Sequence, residues 1–461
     1  VDQGILTTNS YGKKYWAYGG DFNARHLQND ENFCANGLVA ADRSFHPAIY
    51  EVKKVYQQIR FENIQWQAGK IRIANHFNFI DLSNYYIKWV LLRNGVEIAS
   101  DTLTVNVKPA STQDIQINFS KVQFDGEMML NVFAFTKEEA LLVPANHEVA
   151  REQFKDIAYN YFTNHYTDAG TLKVEQQEQS ILFSSGAIKG VFNIKQGKFV
   201  SYEVHQQQLA LQLPEPYFWR APTDNDFGNQ MPNKLGFWRN AHHLLKLDTV
   251  IVGTKQVNGL AIECKYHFEG VGSAYIIKYH LLNSGAIQVT ATLDRGNKKL
   301  PEMPRFGMRM QLPKSYSNIQ FYGRGPWENY SDRNTASFVG LYQQTTQEQF
   351  VYNYIRPQEN GYRTDVRWVT FTNEAHQGIR IIGAQPLCFS ALPYTAEDLD
   401  PGVTKKQQHP VDLTERKFTS LHIDLNQRGV GGDNSWGAYP HAKYLLTQPN
   451  YTYTYIIEPI Q

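Results

Sequence analysis

The chain has few cysteines and no long apolar run. Its three cysteines, Cys34, Cys264 and Cys388, lie far apart, which excludes a disulfide framework and any zinc site built on paired cysteines. We expect all three to be buried free thiols. No apolar run approaches the ~18 residues that a membrane span needs, so no membrane partner is predicted. No secretory signal opens the sequence, but its first residue is Val1 and not Met, so we expect a piece of a longer protein or a mature start.

Charge of one sign is also missing. The chain has 45 Lys and Arg against 44 Asp and Glu, for a formal net charge of +1, and the basic residues are scattered. A nucleic-acid partner is therefore not expected, since such proteins concentrate basic residues on one face. The 42% hydrophobic content is enough for several cores, and 28 Tyr and 26 Phe favour strand-rich structure.

Several kinds of catalytic motif are absent as well. There is no His-Glu-x-x-His pattern, and His242 and His243 are adjacent, which we expect to point their side chains apart. The sequence has no Gly-x-Ser-x-Gly nucleophile elbow and no glycine-rich strand-to-helix loop for a nucleotide. Of the catalytic chemistries considered, only one based on carboxylate acids and bases is left.

The carboxylates that lie in aromatic or glycine-rich turns are candidate acids or bases. They are Glu328, Glu359, Glu397, Asp398 and Asp400. Each can equally be a turn-capping or ion-paired group, with Arg356, Arg363 and Arg367 as expected partners. Glycoside hydrolysis needs two carboxylates on opposite sides of the bond, and no pair stands out here.

The chain changes character along its length. Residues 1–60 combine a loop-rich stretch with one helix after Pro47, whose apolar face is predicted to be Ile49, Val52, Val55, Tyr56 and Ile59. Such a piece cannot bury its own apolar face, so we expect it to complete a larger domain that lies upstream.

Beyond that piece the apolar period is two. Residues 61–168 predict an immunoglobulin-like β-sandwich, in which Asn94-Gly95 forms a tight hairpin turn. Asn164 to Gly170 is a polar connector. Residues 169–461 continue as strands and predict one large two-sheet sandwich.

Two glycine-containing segments are candidates for binding. Trp436 stands in Gly429-Val-Gly-Gly-Asp-Asn-Ser-Trp-Gly437, where it is either a packing residue of a β-turn or a platform on which a sugar ring stacks. The run Asp224-Asn-Asp-Phe-Gly228 is not an EF-hand, because its twelfth position is Leu235. It is either a mobile polar loop with Gly228 as a hinge or an Asx-turn, and Arg220 can pair with either aspartate.

Ordered motifs across the whole chain resemble the large β-galactosidases of glycoside hydrolase family 2. They are Tyr18-Gly-Gly-Asp-Phe22, Asn32-Phe-Cys-Ala-Asn-Gly-Leu38, Ala41-Asp-Arg43, His46-Pro-Ala48, Arg220-Ala-Pro-Thr-Asp-Asn-Asp226, Gly323-Arg-Gly-Pro326, Glu328-Asn-Tyr330, Pro357-Gln-Glu-Asn-Gly361, Arg363-Thr364 and Gly431-Gly-Asp-Asn-Ser-Trp436. The resemblance implies a mostly β fold made of the terminal piece of a (β/α)8 barrel, an immunoglobulin-like β-sandwich and a large mutarotase-like β-supersandwich. Val1-Asp2-Gln3 would continue the last barrel strand.

The resemblance also implies which site residues are present. The carbonyl of Phe33 and the side chain of Asn36 resemble ligands of a sodium ion that helps to hold the galactosyl 6-hydroxyl, Trp436 resembles the sugar platform, and Gly228, Asn229 and Gln230 resemble a loop that moves as substrate settles. Glu31 stands where well-known relatives have arginine, and Asn229 and Gln230 replace small residues. These departures bear on the predicted loop movement.

The two catalytic glutamates and the principal magnesium ligands of the family would lie upstream of Val1. We therefore expect the C-terminal part of a retaining β-galactosidase that acts on terminal β-D-galactosides such as lactose and is inactive without its barrel. Its partners would be the substrate, the upstream barrel and further copies in a homo-oligomer, and the family favours the cytoplasm. The alternatives are a non-catalytic small subunit or carbohydrate-binding module, or a mutarotase-like epimerase that uses Glu359 with His376 or His422.

Overall fold

Strands dominate the structure. A computed structural model describes residues 1–22, 28–119, 122–163, 166–296, 299–434 and 436–461. Strands contain 46% of the residues and helices 11%, which confirms the mostly β prediction. The chain divides into two compact units. One comprises Val1–His46, Asn164–Arg333 and Tyr342–Gln461, and the other comprises Pro47–Thr163 and Asn334–Leu341.

The first segment of the larger unit is a short hairpin followed by turns. Strands β1 (Ile5–Thr8) and β2 (Lys14–Ala17) pair antiparallel, and a 3₁₀ helix covers Gly19–Phe22. Val1 to Gln3 lie outside the strands of this structure, and Gln3 N donates to the Cys34 carbonyl at 2.9 Å. A barrel strand pairs with neighbouring barrel strands, so the continuation of one through Val1 to Gln3 stays a prediction.

The helix predicted after Pro47 is present as α1 (Ala48–Tyr56), and part of its predicted apolar face is exposed, as expected for a piece that cannot bury that face by itself. Val55 and Tyr56 are 53% and 74% exposed, whereas Lys54 is buried. The Lys54 ammonium lies 2.6 Å from the Glu152 carboxylate, so its apolar stem is covered while its charge is paired.

The smaller unit contains the predicted sandwich. Its sheets have the orders β3-β4-β7 and β6-β5-β8-β9. Asn94 and Gly95 have φ of 50° and 81°, which are the positive angles of the predicted hairpin turn. The strands are β3 (Ile59–Gln65), β4 (Lys70–Asn75), β5 (Tyr85–Arg93), β6 (Val96–Thr104), β7 (Ser111–Gln116), β8 (Met128–Thr136) and β9 (Glu148–Lys155). A 3₁₀ turn covers Trp66–Ala68.

The polar connector predicted at Asn164 to Gly170 begins with two residues that lie outside the described ones. Beyond it, a five-stranded sheet runs β10 to β14 in order. Its strands are β10 (Lys173–Gln176), β11 (Ser180–Ser185), β12 (Ile188–Asn193), β13 (Lys198–Val204) and β14 (Gln207–Gln208).

A twelve-stranded sheet forms the rest of the large sandwich, and its strands are β15 (Gln212–Tyr217), β16 (Leu245–Val252), β17 (Leu260–Phe268), β18 (Ala274–Leu281), β19 (Ile287–Asp294), β20 (Arg305–Pro313), β21 (Asn318–Gly325), β22 (Phe338–Thr345), β23 (Arg363–Thr372), β24 (Gly378–Leu392), β25 (Phe418–Gln427) and β26 (Asn450–Ile460). One buried cluster draws on both sheets, with Phe183 and Phe192 from the first and Ile277 and Tyr455 from the second. The predicted two-sheet sandwich is therefore confirmed.

The remaining helices are short. They are α2 (Asp224–Gly228), α3 (Met231–Lys234), α4 (Thr346–Gln349), α5 (Ala396–Leu399) and the 3₁₀ helices Gly236–Leu244, Pro410–Asp412 and Ala442–Tyr444. Among the described residues no helix has both the length and the apolarity to cross a bilayer. All three cysteines are free, but only Cys264 and Cys388 are buried; Cys34 is half-buried, which corrects that prediction.

Candidate functional site

Four of the residues singled out from the sequence line one cavity of the larger unit. The cavity has a volume of about 980 Å³, and Phe33, Asn36, Gly228 and Trp436 are among its walls. Asn229 and Gln230 follow Gly228 just outside this lining. Residues that are far apart in the sequence, near its start, middle and end, therefore line the same cavity.

Trp436 is an exposed aromatic side chain at the cavity wall. It is 78% exposed, so the interpretation of Trp436 as a packing residue does not fit the structure. Asn434 Oδ1 accepts hydrogen bonds from the backbone N–H groups of Trp436 at 2.9 Å and Ala438 at 3.4 Å, which fixes the turn. The Phe33 ring, itself 55% exposed, lies 5.7 Å from the indole. Two adjacent aromatic faces therefore stand open to solvent at the cavity, an arrangement on which the C–H face of a pyranose can pack.

The turn that bears Phe33 and Asn36 is closed by backbone hydrogen bonds. Phe33 N donates to the Asp30 carbonyl and Ala35 N to the Asn32 carbonyl, both at 2.9 Å. Among the described residues, no backbone N–H donates to the Phe33 carbonyl oxygen. That oxygen and the exposed Asn36 amide are the type of ligand that a hard cation takes.

Helix α2 forms another wall of the cavity, so residues 224–228 are helical and not an Asx-turn. Movement of Gly228, Asn229 and Gln230 as substrate settles stays a prediction. Thr223 caps the helix, with its hydroxyl accepting from Asp226 N while the Asp226 carboxylate accepts from Thr223 N. Asp226 is 1% exposed and binds Arg220 at 2.6 and 3.0 Å. Arg428 adds a third contact at 2.7 Å. Of the two aspartates proposed for Arg220, the structure therefore selects Asp226.

Asp224, at the start of α2, carries a charge cluster that sequence reasoning did not place at the site. Arg356 Nη2 donates to Asp224 at 2.8 Å, Lys405 Nζ lies at 3.0 Å, and Asn32 Nδ2 donates at 3.0 Å. Burial alone would raise the pKa of Asp224, but Arg356 and Lys405 outweigh it, and the net pKa is lowered. Asp224 is therefore an anion at neutral pH.

The candidate acids and bases are committed to internal cations, and their expected partners were wrong. Glu328 pairs with Arg333, Glu359 with Arg305, Glu397 with Arg309, Asp398 with Arg416 and Asp400 with Arg239. Arg356 and Arg367 bind Asp224 and Asp365 instead, and Arg363 donates to Gln344. Burial keeps the pKa of Glu359 raised despite Arg305.

Glu328 and Glu359 do line a common chamber, but its volume is only about 190 Å³. Sugar-sized ligands occupy pockets of roughly 300–1,000 Å³. The chamber is therefore too small for a glycosidase pair to work on a disaccharide.

The histidines proposed for an epimerase are not assembled with Glu359. His376 is exposed in a turn with φ of 60°. His422 is buried in β25, where burial, Arg305 and Arg309 lower its pKa well below the usual value, so it is neutral and a poor proton donor.

The side chains of His242 and His243 were expected to point apart, but their ring centroids lie only 3.9 Å from each other. Both residues belong to the 3₁₀ helix Gly236–Leu244 and not to a strand, in which neighbouring side chains point to opposite faces.

Three family models match successive parts of the chain. A family model described as "Beta galactosidase small chain" matches residues 184–457, "Beta-galactosidase, domain 4" matches 71–155, and "Glycosyl hydrolases family 2, TIM barrel domain" matches 1–61. A galactose 1-epimerase structure from Lactobacillus acidophilus NCFM covers 63% of this chain and is itself covered to 99%, at 5% identity and a TM-score of 0.33, which carries no functional argument.

Curated relatives match over nearly the full chain. A "Beta-galactosidase" of Priestia megaterium is 32% identical over 100% of this chain and 44% of its own length. Another from Halalkalibacterium halodurans is 31% identical over 97% of this chain and 43% of its own. The chain thus spans less than half the length of these relatives. Because one family model covers more than half of the chain, the chain belongs to the β-galactosidase small chain family and corresponds to the C-terminal portion of a β-galactosidase of glycoside hydrolase family 2.

Proposed function

We propose that this chain completes and roofs the sugar site of a retaining β-galactosidase that hydrolyses terminal β-D-galactosides such as lactose. The observation that carries the proposal is the exposed pair Phe33 and Trp436 at the cavity wall. An exposed apolar surface in a groove marks a ligand-binding or protein-contact site, and a pair of aromatic rings suits the C–H face of a sugar. The relatives are named β-galactosidases, which supplies the substrate class.

In this proposal, bond cleavage belongs to two glutamates of a barrel upstream of Val1. One protonates the leaving oxygen and the other forms the glycosyl-enzyme intermediate, which water then hydrolyses. Galactosyl transfer follows when a sugar, and not water, takes the galactosyl group. The role of Trp436 is to hold the leaving sugar or the acceptor sugar against its indole face.

The Phe33 carbonyl and the Asn36 amide would hold a sodium ion together with ligands from the barrel. The ion supplies a positive charge that accepts a sugar hydroxyl oxygen as ligand. The Asn32–Asn36 turn carries both of these groups and the Phe33 ring, which lies beside the Trp436 indole. We propose that magnesium ligands of the enzyme lie in the barrel.

The proposal is tested with the enzyme in which this chain continues from an upstream barrel. Release of nitrophenol from nitrophenyl β-D-galactoside is compared with release from the glucoside and mannoside. We expect turnover of the galactoside to exceed the others by at least ~100-fold, as a site that hydrogen-bonds one hydroxyl configuration rejects its epimer. Equal turnover of all three substrates, or turnover of none, contradicts the proposal.

A further inference from the structure

Asp224 joins three segments that meet at the cavity. Its Oδ2 accepts from Asn32 Nδ2 at 3.0 Å, and its Oδ1 accepts from Arg356 at 2.8 Å and lies 3.0 Å from Lys405 Nζ. Both cations therefore contact Oδ1 of Asp224, and the Asn32 amide contacts Oδ2. The Asp224 side chain is 44% exposed and contributes to the cavity wall.

Asn32 in turn fixes the backbone that bears Phe33. Asn32 is 6% exposed, and its carbonyl accepts from Ala35 N at 2.9 Å, which closes the turn around Phe33. The other end of the turn is held where Gly37 N donates to Asp2 Oδ1 at 2.6 Å. A shift of the Asn32 side chain therefore moves Phe33 and Asn36 relative to the rest of the cavity.

Asp224 itself has little freedom to follow such a shift. It begins a one-turn helix whose Asp226 is buried between Arg220 and Arg428. A buried carboxylate with two arginines is costly to displace, because any displacement leaves charges unpaired. The Asn32 side chain thus hydrogen-bonds to helix α2, which the Asp226 ion pairs hold in place.

Helix α2 also contacts the turn that carries Trp436. Asn225 Nδ2 donates to the Val430 carbonyl at 3.2 Å, at the start of the turn that carries Trp436. At the end of that turn, Gly437 packs on the Gly228 carbonyl, where an added Cβ would lie only 2.9 Å from the oxygen. Helix α2 therefore contacts the supports of both Phe33 and Trp436.

We infer that Asp224 is a positioning residue for galactoside binding, which acts through Asn32 to set the separation between the Phe33 turn and Trp436. The inference rests on the proposed function. Asp224 touches no reacting atom in this scheme, and its effect is on binding and not on bond cleavage. An ordinary surface ion pair would instead contribute a small amount to stability and nothing to substrate binding.

Reciprocal exchange of the two side chains tests the inference in the enzyme that includes the upstream barrel. Asn32→Asp places a second carboxylate beside Asp224 Oδ2, Asp224→Asn removes the charge, and the double variant restores one amide facing one carboxylate. We expect each single variant to raise KM for nitrophenyl β-D-galactoside about tenfold, the effect of losing a charge-assisted hydrogen bond, with kcat changed no more than about twofold. The double variant should lower KM below that of either single variant, and the part not recovered reflects the lost charge facing Arg356 and Lys405.

Asp114→Asn is the matched control, because it removes an exposed carboxylate that pairs with Arg72 and is not among the residues that line the cavity. It should leave KM unchanged. Should Asn32→Asp fail to fold, Asn32→Ala takes its place, and it should raise KM in the same way because it removes the same hydrogen bond.

Single variants with wild-type KM, or a double variant no better than the singles or unable to fold, overturn the inference. A wild-type enzyme without β-galactosidase activity overturns the proposed function instead, so the two failures are distinguishable.

Discussion

The indole of Trp436 and the ring of Phe33 lie 5.7 Å apart at an interplanar angle of 46°, although they come from opposite ends of the chain. Neither ring is buried by protein, since the two side chains are 78% and 55% exposed. Their nearness is thus the result of turns that hold the backbone, and it leaves a tilted aromatic surface for a ligand.

Replacing Trp436 with alanine should weaken binding of an acceptor sugar by ~1–3 kcal/mol, because a stacking face is lost. The measurement is the ratio of galactosyl transfer to hydrolysis as glucose is added to the intact enzyme. Trp436→Phe should retain most of the transfer. Phe79→Ala, at a residue that is 93% exposed in the smaller unit, is the control and should leave the ratio unchanged. An unchanged ratio in Trp436→Ala would make the exposed indole irrelevant to sugar binding.

Asn36→Ala should abolish the response of the enzyme to sodium. In the proposed sodium site this amide oxygen is one of the two ligands from this chain, and loss of one ligand weakens binding of a hard cation. KM for the galactoside is measured in NaCl and in choline chloride at equal ionic strength. The wild type should bind substrate more tightly in NaCl, whereas Asn36→Ala should not distinguish the salts. Asn9→Ala makes the same chemical change outside the cavity and should behave as the wild type; a sodium response retained by Asn36→Ala would exclude Asn36 as a ligand.

Local features of this fold were readable from the sequence. Asn94-Gly95 forms the predicted hairpin because its positive φ angles depend only on those two residues and their flanking strands. The helix after Pro47 was likewise predicted, whereas the burial of Lys54 beside Glu152 was not, since that pairing depends on a strand distant in sequence.

The cavity residues divide in the same way. Trp436 was identified by its glycine-rich turn and by family motifs, whereas the bond from Asn32 to Asp224 spans 192 residues and leaves no local signal. The partners of the buried carboxylates were mispredicted for the same reason: Arg305 reaches Glu359 from strand β20, whose neighbours are chosen by the sheet and not by sequence proximity. The pairing of Arg220 with Asp226 was among the pairings considered from the sequence, because the two residues are only six positions apart.

Asp226→Asn should destabilise the larger unit strongly. The change removes the charge that Arg220 and Arg428 share while both arginines stay fully buried. Breaking such a buried pair typically costs about 3–5 kcal/mol of unfolding free energy. Urea unfolding followed by near-ultraviolet circular dichroism measures it, with Asp114→Asn as the exposed ion-pair control that should cost at most about 1 kcal/mol. Equal losses in the two variants would contradict the anchoring role of α2.

His242 should make the protein less stable in mild acid. Burial, Arg309 and His243 lower the pKa of His242 from 6.5 to about 4, while Glu215 and Glu397 act in the opposite direction. Between pH 6.5 and 4 the unfolded chain therefore binds a proton at this residue that the folded chain does not, so stability falls as pH falls. His242→Gln should flatten the dependence of the melting temperature on pH in this window. A steep dependence that survives in His242→Gln would exclude His242 as its source.

The most direct measurement compares nitrophenyl β-D-galactoside hydrolysis by the purified chain of 461 residues with that by the same chain joined to its upstream barrel. The account predicts no turnover by the chain alone, because the carboxylates proposed from its sequence are held in internal ion pairs, and turnover once the barrel is present. Galactoside hydrolysis by the homogeneous 461-residue chain would contradict the claim that it supports the sugar but does not cleave it.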